Sequence, residues 1–389
     1  MLALKLAYRN LIGAGLRTWL IVFVLSLSFV VIIWHKGMLD GWDAQATTDL
    51  IAWEYGGGQL WNKNYDPFDP FTLEESHSKI PDAFKKHIKS GNITPILITQ
   101  GTIYPEGRMQ SILIKGIDKN QDILKIPTDK FLIEDGFIPA VIGTKMAKSN
   151  DFKIGDNVML RWRDVNGTFD ATNIKITGIF KTNAPTVDNS QIWIPIESLQ
   201  EMMKGKNEAT IFVQKEPMES MQTENWIYKS QKFLLTDITE LIKMKSVGGA
   251  VFYGILLLLA LLAIFDTQIL SIFRRQKEIG TYVAMGMTKS QVVGLFTVEG
   301  AFHSVLALIM GAIYGIPFLS WQAKTGITMP MEGDDYGLPM AEIMYPKYGV
   351  SLVITTILIV MIATTIVSYW PSRKISKMKP TEALRGKVQ

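Results

Sequence analysis

The sequence predicts an α-helical membrane protein with four transmembrane helices and one large mixed α+β extracytoplasmic domain. Two observations carry that prediction. Hydrophobic residues make up 48% of the 389, and they gather in four runs separated by stretches of ordinary globular composition. Lysine and arginine flank those runs in a pattern that a single topology satisfies.

The chain begins with Met1 to Arg17, where Leu4, Tyr8, Leu11 and Gly15 form one helical stripe and Lys5 and Arg9 another. Residues 1–17 therefore read as an amphipathic cytoplasmic-interface helix, the alternative being a simple cytoplasmic extension of the span that follows. The first span, residues 18–35, is built on Trp19 to Trp34, 16 residues without a charge. A crossing needs roughly 20 apolar residues, and Leu16 and Thr18 lengthen the run. Its apolar core is too long for a cleaved secretory signal, and no small-x-small site follows Trp34.

Residues 36–246 form a domain long enough to bury its own core. Ile96–Ile98 and Ile112–Ile114 read as strands joined by a turn at Pro105-Glu106-Gly107, with further strands at Lys175–Phe180 and Ile192–Ile194. Helical patterns fall at Ile80–Ser90, Ile196–Lys204 and Trp226–Lys245. The last has no Pro or Gly before Gly248, so it is expected to run into the second span as a continuous stalk. The second span, 247–273, contains Asp266 as its one charge, and a short link, 274–290, follows. The third span, 291–319, holds Glu299, His303, Pro317 and the close-packing pair Gly311 and Gly315. A loop, 320–347, leads to the uncharged fourth span, 348–370, and to the tail, 371–389.

Charge sets the orientation. Residues 1–17 carry Lys5, Arg9 and Arg17 with no acid, the 274–290 link carries Arg274, Arg275, Lys277 and Lys289 against Glu278, and the tail carries six basic residues against Glu382. Residues 36–246 instead hold 25 basic and 28 acidic residues, and residues 321–347 hold two and four. Cytoplasmic loops collect Lys and Arg, so both termini and the 274–290 link are expected in the cytoplasm and the large domain outside it.

Several chemistries are missing from the sequence. The net charge of +4 and the lack of any basic block argue against nucleic acid as a partner. There is no cysteine, hence no thiolate site or disulfide framework. No GxxxxGK[ST] phosphate loop occurs; Gly286-Met287-Thr288-Lys289-Ser290 lacks the preceding glycine spacing. His35, His77, His87 and His303 have no metal-ligand spacing, and no nucleophile elbow is present. Glu74-Glu75 and Asp334-Asp335 sit in polar loop contexts that favour solvated surface over acid–base work. No catalytic or metal-ligating residue is expected.

The most informative segment runs from Phe273 to Lys289. Arg274 and Arg275 suit the phosphate headgroup level. A short helix follows, with Ile279, Val283 and Gly286/Met287 on one face, bracketed by Gly280 and Gly286. It reads either as a docking element for a cytoplasmic partner or as a positively charged turn.

The string RRQKEIGTYVAMGMTKSQVVGLFTVEG (274–300) resembles the signature of FtsX-type permeases, and the ending YWPSRKISKMKPTEALRG (369–386) resembles that family's C-terminus. IGTKMAKSNDFKIGDNVML, ITGIFKTN and DNSQIWIPIESLQEMM resemble the MacB-like core domain, and GGGQLWNKNYDPFDPF is similar to the LolC/LolE lipoprotein-releasing branch. The resemblance implies an ABC transporter permease of the bacterial inner (cell) membrane. It implies a second permease copy or paralogue and a separate cytoplasmic ATPase that binds ATP and Mg; at 389 residues a fused ATPase is not expected. No cofactor is expected in this chain.

On this sequence the family's coupling helix, the ATPase contact, falls on Lys277, Glu278, Ile279, Gly280, Thr281, Val283, Ala284, Met285 and Gly286. Nucleotide-driven motion of that helix would reach the outside domain through the spans. The lipoprotein branch captures acylated cargo beside the first and second spans. Carried over, this points to Phe23, Leu27, Val30 and Val31 and to Phe252, Ile255, Leu256 and Leu259, each of which is otherwise an ordinary lipid-facing or packing residue. Lipoprotein release to a periplasmic acceptor is the leading implied function. Efflux of drugs or peptides, or transmembrane signalling to a cell-wall enzyme, are the rivals.

Overall fold

The structure, a computed structural model, describes residues 16–131, 136–328 and 343–377. Residues 1–15 of the expected interface helix, residues 329–342 and the tail from 378, including its Pro-Thr-Glu-Ala-Leu-Arg motif, lie outside the described residues. The chain divides into two units: one of residues 43–241 with 328–342, the other of 1–42, 242–327 and 343–389.

Helix α1 spans Leu16–Leu50. It therefore continues 15 residues past the expected end of the first span at residue 35, because no proline interrupts it and the polar positions after Trp34 are compatible with helix. A π turn, Ile51–Tyr55, ends it at Gly56.

The soluble unit holds β1 (Gly58–Asn62), β2 (Ser78–Lys79), α2 (Asp82–Lys89), β3 (Ile93–Ile103), β4 (Gln110–Ile117), β5 (Ile138–Gly143), α3 (Thr144–Ser149) and β6 (Asn157–Arg163). It continues with β7 (Phe169–Phe180), α4 (Pro185–Asn189), β8 (Gln191–Pro195), α5 (Ile196–Met202), β9 (Glu208–Ala209), β10 (Ile211–Gln214), β11 (Trp226–Ser230) and α6 (Gln231–Leu234). Among the described residues, nine strands form one sheet in the order β11-β1-β10-β3-β4-β8-β5-β7-β6, while β2 pairs with β9.

The long strand β3 organises this sheet. Along Ile96–Ile103 it pairs with β4. On its other edge Ile93–Ile96 pairs with β10, and Gly101–Ile103 pairs with β6. The β6 contact closes β3, β4, β8, β5, β7 and β6 into a ring, which removes open edges. Gly101 sits where the ring closes; a Cβ there would lie 2.6 Å from Ile114 Cδ1. Val158, Leu160 and Trp162 of β6 alternate into the ring and meet Ile112, Ile142 and Ile176 in one core. Helix α5 packs Leu199 and Met202 against the same core, and Trp162 Nε1 donates to the Met202 carbonyl at 2.9 Å. The strands β10, β1 and β11 extend outside the ring and share a second core with α2, in which Phe212 stands edge-on to Phe84 and Trp226.

The mixed α+β expectation agrees with these elements, with one correction. Trp226–Lys245 is not one helix: Trp226–Ser230 is a strand paired along β1, and Ser230 then caps α6 by accepting the Phe233 N–H at 3.2 Å. Trp226, Ile227 and Tyr228 are strand-favouring residues, and an N-capping serine at 230 ends the strand.

The helical unit adds α7 (Thr236–Arg274), α8 (Gln276–Ala284), α9 (Lys289–Thr325, with Pro317 inside it) and α10 (Val350–Ser372). Among the described residues, four helices are long and apolar enough to cross a membrane: Thr18–Tyr55, Thr236–Arg274, Lys289–Thr325 and Val350–Ile375. Their shared core joins Val22, Leu25 and Phe29 of α1 to Ile264 of α7, Ala307 of α9 and Val360 of α10.

Candidate coupling site

Helix α8 is framed by strong local signals. Gly286, at φ +100°, ends it in a conformation that disfavours side chains with a Cβ. Thr288 then opens α9 with a capping box: its Oγ1 accepts from Gln291 N at 3.3 Å, and Gln291 Oε1 accepts from Thr288 N at 2.9 Å. The helix is thereby held as a distinct segment between two long apolar helices.

The faces of α8 are unequal. Ile279 and Gly280 are buried, and Ile279 joins Ile272, Val292, Phe296 and Ile375 in a small core. Val283 is half-buried against that core. Lys277, Glu278, Thr281, Ala284, Met285 and Gly286 are open, Met285 at 70%. Of the nine residues expected at an ATPase contact, Ile279 and Gly280 thus face their own chain, and Val283 does so in part.

Arg275 has a role that the sequence did not disclose. Its guanidinium is held within its own chain. Its Nη1 donates to both carboxylate oxygens of Glu299, at 2.8 and 2.9 Å, and its Nε donates to Glu278 at 2.7 Å. The guanidinium also lies over the Phe296 ring, 4.8 Å from the centroid. Glu299 projects about three turns into α9, and its side chain is 11% exposed. A carboxylate buried between apolar helices is costly unless paired. One arginine therefore ties the start of α8 to α9 while contacting an α8 carboxylate. The only signal in the sequence is an isolated acid in an apolar run, with arginines one helix away.

The residues expected beside the first and second spans separate in the structure. Phe23, Leu27, Phe252, Ile255 and Leu259 are exposed, and Val31 and Leu256 are half-exposed. Val30 is a correction: it is buried, and it fills the space left by the α9 glycines. A Cβ on Gly315 would lie 2.8 Å from Val30 Cγ2, and one on Gly311 3.7 Å from the same atom. Val30 is a packing residue of the Gly311/Gly315 contact.

The soluble unit contains a cavity of about 940 Å³. Its polar side carries a buried ion pair, Lys115 Nζ to Glu54 Oε1 at 3.0 Å. Gln191 Nε2 donates to the same oxygen at 3.1 Å and Thr186 Oγ1 to Glu54 Oε2 at 3.0 Å. This network joins the end of the π turn to β4, β8 and α4.

Comparison with known proteins bears on both units. Residues 250–380, spanning α8 and the apolar helices around it, match the family described as FtsX-like permease C-terminal. The lipoprotein-releasing system transmembrane protein LolC of Xylella fastidiosa (strain 9a5c) is 19% identical over 72% of this chain and 74% of its own. The ABC transporter permease YtrF of Bacillus subtilis (strain 168) is 29% identical over 36% of this chain and 32% of its own. The macrolide export ATP-binding/permease protein MacB of Rhodopirellula baltica is 27% identical over 39% of this chain and 21% of its own.

Proposed function

We propose that this chain, which carries an FtsX-like permease domain, is the membrane subunit of an ABC transporter whose separate ATPase docks on the exposed face of α8. The supporting observation is the asymmetry of α8. A helix of nine residues buries Ile279 in its own chain, is fastened by Arg275 to Glu299, and leaves Thr281, Ala284 and Met285 open to a partner. A rigidly fastened helix transmits displacement, whereas a loose one absorbs it. The push would pass into α7, whose last residue, Arg274, lies two positions before α8 begins. ATP and Mg belong to the partner, and this chain converts the motion.

In this reading the protein lies in a bacterial inner membrane with α8 and both termini in the cytoplasm and the soluble unit outside. Its cargo is a membrane-held amphiphile, with a lipoprotein as the specific proposal, supported by similarity to LolC over about three quarters of each chain. The exposed apolar faces of α1 and α7, at Phe23, Leu27, Phe252, Ile255 and Leu259, are available to an acyl chain, to lipid or to a second permease copy. Purification with the ATPase that accompanies the chain in its native membrane, followed by addition of triacylated lipoprotein in lipid, tests the cargo. Faster ATP turnover together with release to a soluble acceptor is expected. No change in either removes the lipoprotein reading and leaves the coupling reading to be judged by Ala284→Arg, which is expected to abolish copurification of the ATPase.

A further inference from the structure

The coupling scheme makes no use of the soluble-unit cavity. Its size, about 940 Å³, is at the upper end for small-ligand pockets. One wall is apolar, formed by Trp61, Ile227, Phe233, Leu234 and Ile238, with Phe68 at its lip. Phe68 is 80% exposed, so its ring is open to an occupant of the cavity.

The charged residues of the lining do not all neutralise one another. Glu54 and Lys115 pair with each other. Asp66 accepts the Phe68 N–H at 2.9 Å and Asp237 occupies the first turn of α7, at the positive end of the helix; like Lys63, which also lines the cavity, neither has an ion-pair partner among the described residues. Lys229 has no carboxylate within ion-pair distance among the described residues. Its ammonium rides over the Phe233 and Trp61 rings, 4.4 and 5.3 Å from their centroids. Lys229 is half-exposed, and the ring faces attract its ammonium without supplying the acceptors that three N–H groups can use. Trp61 in turn meets Tyr65 edge-on at 5.2 Å. Neither the Tyr65 nor the Tyr55 hydroxyl has a hydrogen-bond partner among the described residues, and both residues line the cavity. Burial first, and then the charges of Glu54 and Asp66, push the Tyr65 phenol above its ordinary pKa and keep its proton in place. An ammonium and two phenolic O–H groups thus border an apolar wall without acceptors of their own.

We propose that this cavity binds an anionic amphiphile, with its acyl chain along the Trp61–Phe233 wall and its carboxylate or phosphate head on Lys229 and the tyrosine hydroxyls. The cavity lies wholly within residues 50–241, so the proposal stands independently of the ATPase contact. Its wall includes Leu50, Glu54 and Tyr55 from the end of α1 and its π turn, and Thr236 to Leu241 from the start of α7. An occupant therefore touches the end of α1 and the start of α7, two of the segments that lead from the soluble unit into the apolar helices.

The test is photolabelling of the full-length protein in phosphatidylcholine nanodiscs with palmitic acid carrying a diazirine on its tail, followed by peptide mapping. Labels are expected within residues 54–68 and 227–241. Unlabelled palmitate and lysophosphatidic acid should both compete, methyl palmitate about tenfold less well, since one charge-assisted contact contributes on the order of a tenfold change in affinity. Inorganic phosphate should not compete. Lys229→Gln should reduce these labels about tenfold while labels on the apolar helices persist. Phe68→Ala, at an exposed tip where folding is indifferent to it, should reduce them severalfold. Labels confined to the apolar helices, equal competition by methyl palmitate, competition by phosphate alone, or labelling indifferent to both variants would each overturn the proposal. No ATPase is present in the assay, so such a result would leave the coupling reading untouched.

Discussion

Arg275 Nη1 reaches both oxygens of Glu299, at 2.8 and 2.9 Å, across the junction between the short helix α8 and the long helix α9. Both side chains are largely buried, at 17% and 11% exposure, so the pair is poorly screened. Removing one member of such a pair leaves an uncompensated charge and costs about 3–5 kcal/mol. Glu299→Gln is therefore expected to lower the unfolding temperature of the helical unit in detergent. It should also uncouple ATP turnover from cargo response, while exposed Ala284 still supports partner binding. In Arg275→Met/Glu299→Met the buried charges are gone, so most of the stability should return without the coupling. Full coupling in the double variant would show that the pair only stabilises the fold.

The glycine contact of α9 makes a packing prediction. Gly315→Val adds a Cβ that would lie 2.8 Å from Val30 Cγ2, and overpacking of this kind costs about 1–3 kcal/mol. Val30→Ala should recover part of that loss in a double-mutant cycle followed by thermal unfolding. Additive effects of the two substitutions would mean that the residues are not in contact.

In the soluble unit the Glu54–Lys115 pair joins the π turn to β4. Lys115→Met leaves Glu54 buried with only neutral donors, Gln191 and Thr186. Destabilisation of about 3–5 kcal/mol is expected in denaturant titration, and Glu54→Gln/Lys115→Met should be the milder variant. A double variant as unstable as Lys115→Met would refute the argument from an unpaired charge.

Much of this was legible in the sequence, for definite reasons. The apolar runs at 247–273 and 348–370 could not be anything but long buried or membrane-crossing helices, and the Pro105-Glu106-Gly107 turn announced the β3–β4 hairpin. The closing of the ring was not legible. It depends on Gly101–Ile103 meeting Leu160–Trp162, a pairing that no local pattern encodes. The strand at Trp226–Ser230 was hidden as well, because its short apolar run carries both periods. At the candidate site, position was readable and direction was not: Arg275 and Ile279 turn inward because α8 folds back onto α9, and only the fold shows that.

Tyr65 gives a prediction for pH. Burial first, and then the charges of Glu54 and Asp66, raise its pKa. Tyrosine in the unfolded chain ionises near pH of about 10, so the unfolded state loses this proton first. The stabilising contribution is complete below that pH and declines as pH rises beyond it. Above pH of about 10, Tyr65→Phe should therefore lose less stability than the parent, measured by denaturant midpoints. Identical slopes would mean that the phenol ionises freely in the folded protein.

The most direct measurement uses the absence of cysteine from the chain, which allows a single thiol to be placed at will. Ala284→Cys, on the exposed face of α8, is expected to cross-link through a short bismaleimide to the copurified ATPase, and Ile279→Cys, on the buried face, is expected not to. A cross-link from Ile279→Cys as strong as that from Ala284→Cys, or none from Ala284→Cys while the ATPase still copurifies, would contradict docking on this helix.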